Sequence, residues 1–209
     1  MTKPHHSGRL QAFSDGVFAF AATLMVVSLD LNRGVAELMA QGSNLVAFGV
    51  SFFVLVALWV VHYNYFRRSG YVDYWIMAYN ALLLFVILYY VFPLKSLVHS
   101  WMGTQQMTLE GLSSLFQLYS LGFALIFLCY ALMYRRAFKK ERNAATAVDL
   151  LFYTRHFALY VGVGLLSMLL SALKVGVGVG LPGFIYVLLG PLCYAHSKWF
   201  DQKFRPSDL

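Results

Sequence analysis

Hydrophobic residues run through the chain in six long stretches, residues 10–31, 45–66, 74–98, 112–134, 157–173 and 181–198, broken by shorter polar intervals. Each has the length that carries a helix across the hydrocarbon core of a bilayer, about 17–25 residues. No segment alternates apolar and polar positions over about ten residues, so a transmembrane β-barrel is excluded. The pattern predicts an all-α polytopic membrane protein, a single six-helix transmembrane domain spanning residues 1–209. Lys3 and Arg9 precede the first stretch as the basic start of a signal peptide would. Asp15 interrupts its beginning, however, and no small-x-small cleavage site follows Leu29, so it reads as a retained span.

Composition agrees with this reading. Hydrophobic residues make up 60% of the 209 and charged residues 12%, against roughly 45–50% and about 25% in soluble domains. Six spans and their connections use nearly the whole length, which leaves no room for a soluble catalytic domain. The formal net charge of +7 would suggest nucleic acid in a soluble protein. Here it is explained by where the cations fall: 13 of the 16 Lys and Arg lie in the intervals of one side and three, Arg33, Lys95 and Lys174, on the other. Basic loops face the cytoplasm, so both termini are expected there and no nucleic-acid partner is implied. Residues 135–155 form the long connection on that side, and Ala144-Ala145-Thr146-Ala147 within it favours a helical extension. No repeat relates the two halves of the chain, whereas many carriers are built from such repeats.

A carboxylate inside a span costs a few kcal/mol at mid-depth, about 2.5–3.5 on insertion scales, and so marks a candidate site. In the first stretch Ser14 and Asp15 lie past Arg9, whose long side chain can reach the interface. If the second span returns toward the cytoplasm, Trp59 and His62 come back to the depth of Ser14 and Asp15, and Asn80 of the third span starts near it. Arg9, Ser14, Asp15, Trp59, His62 and Asn80 are therefore expected in one buried layer. The favoured reading is a hydrogen-bonded network that fixes helix packing; the competing one is a proton or ion relay. Along the first stretch Gly16, Phe20, Thr23, Leu24, Val27 and Leu31 recur at three- and four-residue spacing. Residues alone make this stripe lipid-facing or core. Asp30 and Glu37 beyond it are carboxylates of a kind that concentrates cations at a pore mouth, and solvated loop charges are the simpler account of them.

Other motifs carry less. Val175-Gly-Val-Gly-Val-Gly180 lacks the preceding pore helix that a glycine-rich selectivity filter needs and reads as a turn. Pro182 suits a helix start and Pro191 a kink. His99, His156 and His196 are isolated in sequence, and Cys129 and Cys193 each sit alone in apolar runs, so no metal site or disulfide is expected. No phosphate-binding loop, zinc-protease motif or nucleophile elbow is present, so no enzymatic activity is expected.

The run Arg9-x-x-x-Phe13-Ser14-Asp15-Gly-Val-x-Ala-x-x-Ala-Thr23-Leu24 resembles the opening motif of the transmembrane protein 175 family of potassium channels, in its single-repeat, six-span prokaryotic form. Leu58-Trp59-x-x-His62-x-x-x-Phe66 fits the same family, and Asn80 and Pro93 fit more loosely. The resemblance covers the first three spans; the last three agree in hydropathy and length. It implies a homotetramer in the plasma membrane with potassium as the permeant ion and no further cofactor. The first helix of each subunit would line a central pore, held in place by Arg9, Phe13, Ser14, Asp15, Trp59, His62 and Asn80. The pore would be lined and narrowed by Phe20, Thr23, Leu24, Val27 and Leu31, with Asp30 at its mouth. The family usually carries isoleucine or leucine in the place of Phe20. A hydrophobic constriction gates by dewetting and offers few groups to replace a hydration shell, so modest discrimination of potassium over sodium is expected. The alternative class is a secondary or proton-coupled transporter using Asp15 and His62.

Overall fold

A computed structural model describes residues 7–27, 42–102 and 107–204, apart from the side chains of residues 43, 44 and 101, and all regular structure among them is helical. The first five helices are α1 (Ser7–Val27), α2 (Gly42–Arg68), α3 (Tyr74–Trp101), α4 (Leu109–Phe138) and α5 (Ala144–Ala172). All five contain a segment long and apolar enough to cross a membrane. Side-chain caps set three of the starts by satisfying N–H groups that the first helical turn leaves open. Asp73 Oδ1 accepts from Ile76 N–H at 3.0 Å, Thr108 Oγ1 from Gly111 N–H at 3.1 Å, and Asn143 Oδ1 from Ala145 and Thr146 N–H at 3.0 and 3.1 Å. The expected long connection over residues 135–155 shrinks to residues 139–143, because α4 runs on to Phe138 and the alanine-rich segment already belongs to α5. The last residues of the predicted first span, 28–31, lie outside the described residues.

The sixth stretch departs from expectation. In place of a single helix over residues 181–198 kinked at Pro191 there is a 3-10 turn (Val177–Val179), a single α-turn α6 (Leu181–Phe184), a 3-10 turn (Ile185–Leu188) and α7 (Leu189–Phe204). Proline is the cause. Pro182 opens α6, and Pro191, the third residue of α7, has no N–H to offer the carbonyl four residues back, so the preceding turn tightens to i→i+3 bonding. The glycines do form a turn: Gly176 and Gly180 have φ of 63° and 75°, and a Cβ on Gly176 would sit 2.6 Å from Leu181 Cβ.

Lipid gives helices little hydrophobic reason to associate, so close packing and interhelical hydrogen bonds hold them together. The α3–α4 contact depends on Gly122, where a Cβ would meet the Tyr90 ring at 2.7 Å. The α4–α5 contact is a hydroxyl seam. Tyr186 OH donates to Ser120 Oγ (3.1 Å), Ser120 to Ser167 Oγ (2.7 Å), and Ser167 to the Pro182 carbonyl (2.7 Å). One proton per hydroxyl satisfies the whole chain, and it pins the broken sixth segment to the α4–α5 pair. Ser113 Oγ, donating to the Ser171 carbonyl at 2.6 Å, extends the seam. Below it Phe127 packs on Phe157 and Tyr160 with ring centroids 5.6 and 4.4 Å apart, pairs worth about 0.5–1.5 kcal/mol each.

α1 packs on α2 and α3 and buries a narrow stripe, Ser14, Phe18, Ala21 and Met25. At the end where the basic residues gather, Arg136 of α4 bonds Asp73 at the head of α3 through Nη2–H and Nε–H, 2.7 and 2.8 Å from Oδ2. Partial burial pushes the Asp73 carboxyl up, but the Ile76 N–H, the Arg136 guanidinium and the Tyr71 hydroxyl outweigh it and hold the pKa below its ordinary value. A carboxylate with a depressed folded pKa stabilises the protein above its unfolded pKa, about 3.9, and loses that contribution as pH falls through the folded value. The melting temperature in detergent is therefore expected to hold from neutral pH to about 5 and to fall below about 4, with the fall reduced in Asp73→Asn.

Candidate functional site

The layer expected from sequence forms, in two parts. Ser14 Oγ donates to the Leu10 carbonyl of its own helix at 2.8 Å and accepts from Asn80 Nδ2–H at 3.0 Å. Asn80 Oδ1 lies 2.8 Å from His62 Nε2. An amide oxygen only accepts, so the His62 proton on this side sits at Nε2. Ser14, His62 and Asn80 are all buried, and through them one chain of bonds links α1, α3 and α2. Separately, Trp59 Nε1–H donates to Asp15 Oδ1 at 2.8 Å, a second tie from α2 to α1. Phe18 and Phe66 close around His62 with ring centroids 5.5 and 5.0 Å away.

Three expectations for this layer change. Asp15 and Trp59 are exposed rather than buried in the single chain, because they sit at the margin of the α1 face that no other helix among the described residues covers. Arg9 is exposed at the first turn of α1 and outside the network, and Phe13 is 63% exposed. No hydrogen bond among the described residues joins Asp15 to His62, so the two titratable groups of the layer belong to separate ties.

Opposite the buried stripe, Gly16, Phe20, Thr23, Leu24 and Val27 are all exposed. Phe20 is 56% accessible, Leu24 41% and Val27 71%, so nothing among the described residues covers this face. Thr23 Oγ1 spends its proton on the Ala19 carbonyl at 3.0 Å. What it presents outward is therefore oxygen lone pairs, groups that face a cation. Leu31, Asp30 and Glu37 lie outside the described residues.

Sequence reasoning passed over the partners of this site. Phe18, Ala21 and Met25 follow Ser14 at four-, three- and four-residue spacing, a signal that was present in the pattern. His156 and His196, isolated in sequence, come together with ring centroids 5.6 Å apart, although no group of three or more metal-ligating side chains forms among the described residues. A cavity of about 620 Å³ lies elsewhere, between the far ends of α3 and α4 and the glycine turn, lined by residues such as Leu97, Phe116 and Val179. It does not touch the Ser14 layer.

These features define a class: a multi-pass α-helical membrane protein whose N-terminal helix is fastened along one side by a buried polar network and left open along the other. Residues 9–93 match the profile of the family described as endosomal/lysosomal potassium channel TMEM175. A potassium channel of Marivirga tractuosa is 29% identical over 94% of this chain and 89% of its own length. One from Chamaesiphon minutus is 28% identical over 83% of this chain and 88% of its own. Among solved structures, a variant of the potassium channel MtTMEM175, crystallised with a nanobody–MBP fusion protein, superposes with a TM-score of 0.78 at 28% identity, covering 93% of each chain. A lysosomal potassium-selective channel TMEM175 homolog from Chamaesiphon minutus gives 0.59 at 25% identity, over 87% of this chain and 97% of that one. Over residues 9–93 the chain is therefore similar to the TMEM175 family, and over most of its length it is similar to these potassium channels.

Proposed function

We propose that the protein is a potassium-selective cation channel of the plasma membrane, assembled from four copies, with α1 of each lining a central conduit. The observation that carries this is the open face of α1. A membrane helix fixed on one side by Ser14–Asn80–His62 and Asp15–Trp59 holds Phe20, Thr23, Leu24 and Val27 toward a space that no other described residue of the chain fills. Four such faces around an axis give hydrophobic rings at Phe20, Leu24 and Val27, and outward oxygen at Thr23. From the sequence spacing alone, Leu31 is assigned to an extension of this proposed lining and Asp30 to its mouth. Similarity over 94% and 83% of the chain to proteins named potassium channels supports the ion. The broken sixth segment counts as a sixth span, which with the basic intervals on one side gives an even number of crossings and both termini in the cytoplasm.

Arg9, Phe13, Ser14, Asp15, Trp59, His62 and Asn80 act as the positioning set of this reading; none of them needs to touch the ion. A carrier working through Asp15 and His62 would pass protons between those groups, and they sit on separate ties. The deciding experiment is reconstitution of purified protein in liposomes loaded with potassium. Flux that follows the potassium gradient, needs no countertransported ion and is weaker for sodium is expected. Obligatory exchange or proton coupling would establish the carrier instead.

A further inference from the structure

Two cations at the basic end of the bundle share the same pair of aromatic rings. Arg155 of α5 places its guanidinium 5.7 Å from the Trp199 ring centroid and 5.1 Å from that of Phe204, both on α7. Lys203 of α7 places its ammonium 5.2 Å from the same Trp199 ring and 5.8 Å from the same Phe204 ring. Sharing both rings keeps the two charges within about 11 Å of each other. The ion pairs formed among the described residues lie elsewhere, Arg136 with Asp73 and Lys174 with Glu110. Asp201, the carboxylate of this part of α7, is two positions from Lys203, so the two side chains do not face each other, and it has an interaction of its own. The aromatic faces hold the cations in place, and an anion bound between them would offset the repulsion of two like charges.

The surroundings identify that anion. Trp199 is 46% exposed while Phe200 beneath it is fully buried, the arrangement of a tryptophan at a membrane–water boundary. Arg68 stacks on Tyr153 with its guanidinium 4.0 Å from the ring centroid, and Tyr153 is two residues before Arg155 on α5, so the cluster continues a rim of arginines and aromatics. We propose that Arg155 and Lys203, seated on Trp199 and Phe204, form a binding site for the phosphate of an anionic phospholipid headgroup, with the acyl chains lying along α5 and α7. Guanidinium N–H groups and the ammonium donate to the phosphate oxygens from two helices, and the lipid clamps α7 to α5 beyond the proline-broken segment.

The test is native mass spectrometry of the full-length protein in detergent, titrated with phosphatidylglycerol or phosphatidylcholine; it reads lipid retention and is independent of ion flux. Phosphatidylglycerol is expected to bind preferentially. Removing both charges in Arg155→Gln/Lys203→Gln should weaken its tightest binding at least tenfold, and Lys203→Gln alone about fivefold. Lys203→Arg should keep it, and so should Lys139→Gln/Lys140→Gln, which removes two charges from the same end. Lys203 is exposed near the end of α7, so its single variant carries the test even where Arg155→Gln fails to fold. Equal binding of the two lipids overturns the site. Equal loss in the Lys139/Lys140 variant shows bulk charge attraction and overturns it as well. Displacement of the lipid by millimolar inorganic phosphate makes it a soluble-anion site and overturns the lipid assignment.

Discussion

Replacing Leu24 with alanine is expected to raise potassium flux roughly three- to tenfold, a barrier lower by about 0.8–1.4 kcal/mol, and to bring the sodium rate close to the potassium rate. Leu24 sits on the open face of α1, beside Thr23 and one turn before Val27. It is 41% exposed, so truncating it takes little packing from its own chain. The change in folding stability should stay within about 0.5 kcal/mol, as for other substitutions outside the core. In the proposed four-fold ring the effect would be concentrated on the axis, where each isobutyl group that becomes a methyl would widen an apolar layer. A wider ring holds water more readily, which removes the dewetting barrier. It also lets an ion pass with more of its hydration shell, so the energetic difference between potassium and sodium is sampled less. Leu165 on α5 is comparably exposed, at 49%, on a helix remote from α1. Leu165→Ala is the control and should leave both rates unchanged. If Leu24→Ala behaves like Leu165→Ala in the liposome assay, Leu24 faces lipid and α1 does not line the conduit.

The positions legible in the sequence were those where a polar residue in an apolar run has few escapes. Ser14, His62 and Asn80 come from three separate spans, and depth alone was enough to place them together, because an unpaired amide or imidazole in hydrocarbon is too costly to leave open. Depth could not place Arg9, which reaches solvent from the first turn of α1. Nor could it say that Asp15 and Trp59 would lie at an exposed margin, since exposure depends on which flank of a helix its neighbours choose. The α4–α5 seam escaped notice for the opposite reason. Ser113, Ser120, Ser167 and Ser171 bond within a helix or across one with equal ease, so each is unremarkable until the two helices are seen side by side. The broken sixth segment was half visible. Pro182 and Pro191 announced a start and a kink, but the shift to 3-10 geometry over Ile185–Leu188 depends on how far the freed carbonyls can be satisfied locally. His156 and His196 show the limit most plainly, since forty positions of sequence separate two rings that end in contact.

Asn80→Leu should be the most disruptive change in the positioning layer, because its side chain is the hub through which α1 reaches both neighbours. Leucine keeps the branching, is somewhat bulkier and removes both bonds. Ser14 loses an acceptor contact but still donates to the Leu10 carbonyl, so its share is small. His62 is left with an Nε2–H facing apolar surroundings, and an orphaned buried donor costs about 1–3 kcal/mol. Hydrogen bonds between membrane helices average about 0.6 kcal/mol when both partners can find substitutes, which sets the lower bound at about 1 kcal/mol for the two. His62 is enclosed by Phe18 and Phe66 and has no substitute on that side, so a loss of about 2–3 kcal/mol is expected. It would appear as a lower melting temperature in detergent, together with loss of potassium flux as α1 lets go of α3. Asp15→Asn provides the contrast. The asparagine oxygen can still accept from Trp59 Nε1–H, so the tie survives while the charge is gone, and both stability and flux should persist. A proton relay predicts the reverse ranking, with transport abolished by Asp15→Asn at unchanged stability. The two substitutions therefore separate a layer that holds a helix from one that moves a proton, and full potassium flux at wild-type stability in Asn80→Leu would remove the positioning role from this network altogether.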